Sequence, residues 1–108
     1  MKLIIAIVNR DDSADLIHKL NKNGFMSTRL STTGGFLRAG NITLLIGTED
    51  GKVDRVIEIL RECCSQRAEI VSGSAGNYSE HFYTSLPVEV KVGGATVFVV
   101  DVEQFIKM

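Results

Sequence analysis

The chain opens on six consecutive apolar residues, Leu3 to Val8, stopped by Asn9, Arg10, Asp11 and Asp12. So short an apolar run, ended by residues able to cap a helix, predicts a buried strand leading into a helix. From Ser13 onward Leu16, Ile17 and Leu20 fall on one helical face, Asp15, Lys19 and Lys22 fall elsewhere, and Gly24 supplies the stop. Phe25 to Leu30 predicts a second strand. Ser31 to Gly40 is polar and Gly-rich, a short loop. Asn41 to Gly47 then puts Ile42, Leu44 and Ile46 on one face of a third strand, with Thr43 and Leu45 on the other. Val53, Val56, Ile57 and Leu60 keep the spacing of a second amphipathic helix.

Gln66 to Leu86 has no clear period and is rich in Ser, Gly, Asn, Tyr and His, so it predicts a long functional or mobile loop. Val88, Val90 and Val92 alternate with Glu89 and Lys91. Gly93-Gly94 then predicts a tight two-residue hairpin turn into a strand from Ala95 to Val100. The resulting order is βαββαβ with one additional C-terminal strand, an α+β arrangement whose antiparallel sheet carries two helices on one face. Strand 1, however, is apolar at both alternations: Leu3, Ile5, Ile7 and Ile4, Ala6, Val8. Two helices cover one side only. A broad apolar patch on the other is unusual for a monomer, so the pattern predicts self-association.

Composition narrows the class. With 108 residues, 44% hydrophobic and 23% charged, the chain suits a single domain spanning 1–108 that folds without disulfides. A net charge of −1 gives no electrostatic footprint for a polynucleotide. Cys63 and Cys64 are adjacent, a spacing that suits neither a disulfide nor a metal pair. His18 and His81 have no partner at metal spacing. The opening apolar run is too short for a signal peptide and far short of the roughly 20 residues that span a bilayer, which predicts a cytoplasmic protein with no membrane partner.

The most informative stretch is TTGGFLRAGN, Thr32 to Asn41. Together with MKLIIAIV at the start, LIGTED from Leu45 and PVEVKVGGATVFV from Pro87, it resembles the PII-like cyclic di-AMP receptor family over nearly the whole chain. The resemblance implies a ferredoxin-like PII domain assembled as a homotrimer. It also implies cyclic di-AMP as ligand, bound between neighbouring subunits with no cofactor and no catalysis, and an unnamed downstream protein as partner. Ligand contacts are implied at Thr28, Gly35, Phe36, Leu37, Asn41 and Gly47.

The residue types suit such a ligand. Gly34 and Gly35 let backbone amides approach a phosphate, Phe36 and Leu37 offer apolar surface to a purine, and Asn41 and Thr28 offer directional polar contacts. Taken alone, the same residues also fit a plain turn, an apolar loop anchor and a strand start, and Arg29 and Arg38 fit either phosphate partners or solvated charge. The chain departs from the family pattern at Gly24 and Met26, where Asn and Arg are common near the ligand.

Rival classes fit less well. An ordinary PII sensor of ATP and 2-oxoglutarate carries its long loop between strands 2 and 3, where this chain has only Ser31 to Gly40; a PII-like sensor of another adenine nucleotide, ATP or ADP, is the alternative. An acylphosphatase needs a Gly-rich arginine cradle after strand 1, and Asn9 to Ser13 has none. An RNA-recognition module needs aromatics on its central strands, and LIIAIV and ITLLIG have none. A structural oligomer without a ligand shares every pattern feature and differs only in binding.

Overall fold

The computed structural model describes residues 1–30, 40–72 and 87–108. Strand β1 spans Lys2–Asn9 and runs directly into helix α1, Arg10–Lys22. The helix begins earlier than the apolar spacing suggests because Asn9 caps it, its Oδ1 accepting the Asp11 N–H at 2.8 Å. At the other end Gly24 takes φ +84°, and the Phe25 and Gly24 amides donate to the Leu20 and Asn21 carbonyls at 2.8 and 3.0 Å. This closing motif seats Phe25 against the core instead of in a strand, so β2 is only Ser27–Leu30.

Strand β3 (Asn41–Thr48) follows, then a one-turn 3-10 helix (Asp50–Lys52) and α2 (Val53–Cys64). β4 (Arg67–Ser72), β5 (Pro87–Val92) and β6 (Ala95–Asp101) complete the chain.

Four strands form the main sheet in the order β2-β3-β1-β6, with every neighbouring pair antiparallel. Alternation sets its two faces. Ile4, Ala6 and Val8 of β1 and Ile42, Leu44 and Ile46 of β3 are buried. They share one core with Leu16 and Leu20 of α1 and Val56, Ile59, Leu60 and Cys64 of α2. The helices therefore cover one face. Lys19 pairs with Glu62 across them, an exposed contact that raises the lysine and lowers the glutamate pKa through the shared hydrogen bond.

The end of the chain corrects two expectations. The additional strand is not C-terminal: two extra strands, β4 and β5, stand between α2 and β6 and pair with each other as a separate sheet, Arg67 opposite Val92 and Ser72 opposite Pro87. Gly93 and Gly94 do take positive φ, at 79° and 90°, yet the strands they join do not form a hairpin. β6 instead follows β1 from Val8 opposite Ala95 to Lys2 opposite Asp101. A turn signal is local, whereas strand pairing is a tertiary outcome, and here β6 pairs with β1 over seven residues. The stretch expected as a loop from Gln66 also starts as strand β4, whose partner is too distant in sequence to leave a local signature. The rest of that stretch, 73–86, lies outside the described residues.

Burial decides the state of the vicinal thiols. Cys64 is 1% exposed, and desolvation pushes its thiol up to about 12; burial also raises Cys63. Since an unfolded thiol ionises near 8.5, the folded state holds the Cys64 proton over a window where the unfolded state releases it. Stability is thus expected to fall as pH rises from about 8.5 towards 12. Chemical denaturation across that range should show the decline, with a flatter profile in Cys64→Ala, and native protein at pH 8 should resist alkylation at Cys64.

Candidate functional site

Side-chain parity places the predicted contact residues. On β3 the odd-numbered positions, Asn41, Thr43, Leu45 and Gly47, lie opposite Asn9, Ile7, Ile5 and Leu3 of β1. On β2, Thr28 lies opposite Leu45. On β6, Phe98 and Val100 lie opposite Ile5 and Leu3. All of these belong to the sheet face that carries no helix. Thr28, Asn41 and Gly47 therefore share a surface with an apolar strip from Leu3, Ile5, Leu45, Phe98 and Val100. Phe98 is 51% exposed and Val100 41%.

The three residues are not adjacent. Asn41 and Gly47 stand six residues apart on one strand, roughly 20 Å, whereas Thr28 is a diagonal neighbour of Gly47. Each end of the strand has its own cleft. At the Gly47 end a space of about 500 Å³ is bounded by Asn23, Gly24, Phe25, Gly47, Lys52 and Arg55. Arg55 is held at its edge by hydrogen bonds to Asn23 Oδ1 at 3.1 Å and Glu58 Oε1 at 2.9 Å. Gly24 belongs to this cleft and Met26, 82% exposed, adjoins it, so both departures from the family pattern fall at the same end.

At the Asn41 end a space of about 360 Å³ is bounded by Asn9, Asn41, Gln66, Gly93, Gly94 and Thr96. Arg10 N–H donates to the Gly40 carbonyl at 2.6 Å, which anchors Gly40, next to Asn41, on the first turn of α1. Gly35, Phe36 and Leu37 lie outside the described residues, as do Arg38 and His81.

Sequence reasoning missed Asn23, Lys52 and Arg55 at one cleft and Asn9 and Gln66 at the other. The charged pair reads as solvated helix surface, and only tertiary placement brings it beside Gly47. Gly93-Gly94 was legible as a turn but not as a cleft wall. Among the described residues no group of His, Cys, Asp and Glu could hold a metal ion, and no helix is long and apolar enough to cross a membrane.

The family model of the cyclic-di-AMP receptor matches residues 1–108. The chain belongs to the cyclic-di-AMP receptor family. This is a family of signalling receptors and not of enzymes. The chain is also similar to a functionally unknown protein from Pediococcus pentosaceus ATCC 25745 whose crystal structure has been solved. The two are 38% identical, with 99% of this chain and 96% of the other covered and a TM-score of 0.78. An antiparallel sheet with two helices on one face fits a PII-like member of the cyclic-di-AMP receptor family.

Proposed function

We propose that residues 1–108 act as a single PII-like signalling domain in the cytoplasm, one that binds cyclic di-AMP between the subunits of a homotrimer and does not transform it. The observation that carries this reading is the family match over the entire chain. Geometry supports the inter-subunit part. Gly47 stands roughly 20 Å from Asn41 along β3, and Thr28, opposite Leu45, about 14 Å from it, too far for one bound base to touch both groups within a chain. Both groups lie on the helix-free, apolar face, where a second subunit would bring one chain's Gly47 end against another's Asn41 end. Gly35, Phe36 and Leu37, close to Asn41 in sequence, are proposed as further ligand contacts. Binding would be passed on to an unnamed downstream protein through rearrangement of the loops. Calorimetric titration with cyclic di-AMP, cyclic di-GMP, ATP, ADP and AMP tests the reading. Heat from ATP or ADP alone would make the protein a sensor of another adenine nucleotide, and none from any of them would leave a structural oligomer.

The departures at the Gly47 end give a prediction in the opposite direction from most mutations. Gly24 has positive φ, a conformation Asn tolerates, and nothing lies within 4 Å of where a Cβ would stand. Gly24→Asn with Met26→Arg should add polar partners without disturbing the core. A charge-assisted hydrogen bond from a largely exposed arginine is worth about 1 kcal/mol here, so affinity for cyclic di-AMP should rise about three- to tenfold. Titration of the double variant beside the parent checks it, and weaker binding by the variant would contradict the assignment of this cleft.

A further inference from the structure

The first turn of α1 touches two parts of the molecule that have no strand pairing with each other. On one side Arg10 N–H holds the Gly40 carbonyl at 2.6 Å, next to Asn41. On the other, Asp12 Oδ1 accepts from Arg67 Nη2 at 2.8 Å, and Arg67 is the first residue of β4. The Asp12 side chain is only 7% exposed, and its Oδ2 is buried with no hydrogen-bond partner among the described residues. A carboxylate so desolvated depends strongly on the cation that does reach it. Arg67 Nη1 also donates to the Ser65 carbonyl at 3.2 Å. The guanidinium lies against Gly93, where an added Cβ would collide with Nη1 and come within 2.9 Å of the Ser65 oxygen. The next residue, Gly94, donates its N–H to the Cys64 carbonyl. The Arg67–Val92 end of the β4–β5 ribbon is thus fastened at one point, and among the described residues its two strands pair only with each other.

We infer that the Asp12–Arg67 ion pair is the joint that couples occupancy of the Gly40–Asn41 cleft to the β4–β5 ribbon, with Asp12 and Arg67 acting as positioning residues and not as ligand contacts. The inference rests on the proposed binding of cyclic di-AMP at Asn41. A ligand in that cleft meets Asn41 on one wall and Gly93-Gly94 on another. Displacing the Gly40 carbonyl shifts the turn that carries Asp12, and with it the carboxylate to which Arg67 Nη2 donates. Coupling through a shared rigid turn needs no contact between ligand and ribbon.

The test is hydrogen exchange of the full chain, with and without saturating cyclic di-AMP, for the parent, Asp12→Asn, Arg67→Gln and the double variant. In the free variants, exchange should quicken in 67–72 and 87–92 while β1 and β3 keep the parent's protection. Affinity should stay within about threefold of the parent. The ligand-induced change in the ribbon, present in the parent, should vanish in each single variant, and the double variant should match either single. A ribbon response that survives in either single variant would overturn the inference, as would a parent that binds ligand with no ribbon response; in both cases the receptor reading stands. If the parent fails to bind, the receptor reading falls and the coupling falls with it. In a parent that binds, faster exchange of the free variants confined to the ribbon supports the joint, and a uniform change across the sheet overturns it.

Discussion

Ile5→Glu is expected to give a monomer at micromolar concentration in place of the trimer proposed for the parent chain. Ile5 sits at the centre of the helix-free face, between Leu45 of β3 and Phe98 of β6, and it is only half-buried in the isolated chain. In the proposed trimer that face is covered by neighbouring subunits, and each would carry a carboxylate into an apolar contact. An unpaired buried charge costs several kcal/mol per ion even after relaxation, and in a trimer the cost recurs in every subunit. The helix-side core is untouched because Ile4 and Ala6 point the other way. Circular dichroism should therefore match the parent while light scattering reports the single-chain mass. Cyclic di-AMP binding should fall by at least a hundredfold, since the proposed cleft needs two chains. A parent chain that is itself monomeric, or an Ile5→Glu variant that keeps both its mass and its affinity, would remove the trimer and the inter-subunit cleft together.

How far the sequence carries that argument depends on the residue in question. The double-faced strand Leu3 to Val8 was readable because alternation is a local property, and β3 pairing converts it directly into a covered and an uncovered face. The same locality explains the error at Gly93-Gly94. Positive φ at both glycines could be read from the dipeptide, but not that β6 would pair with β1 while β5 paired with β4. Strand β4 left only a weak signature: Arg67, Ala68, Glu69 and Ile70 alternate, but the pattern is short, breaks at Val71, and the partner strand stands beyond the intervening segment. Among candidate contacts, Thr28, Asn41 and Gly47 came from a resemblance, and their common face follows from register. Their division into two groups required the length of β3. Asn23, Lys52 and Arg55 were invisible in the sequence for the reason that makes tertiary structure informative: a cleft gathers residues from a helix end, a strand and a turn that no linear motif connects.

Asn41→Ala and Phe36→Ala should each raise the dissociation constant for cyclic di-AMP by roughly five- to a hundredfold while leaving the trimer intact. Asn41 opens β3 opposite Asn9, half-buried at the edge of its cleft, and its amide can donate and accept at once. Removing it leaves the ligand's partner group unpaired, at about 1 to 3 kcal/mol. Phe36 enters as the proposed stacking surface for an adenine, and losing such a platform costs a similar amount, roughly 1 to 3 kcal/mol. With about 1.4 kcal/mol to each factor of ten, both losses fall in the stated range. The competing role for Phe36, an apolar anchor for its own loop, predicts a lower melting temperature without ligand and poorer assembly at nearly unchanged affinity. Calorimetric titration beside a thermal melt of the free protein separates the two roles. Asn41 supplies the control, because its neighbour Gly40 is already fixed by the Arg10 amide and the strand register does not depend on the amide side chain. Unchanged affinity in both variants would move the binding site away from the Asn41 end of β3, or replace cyclic di-AMP as its ligand.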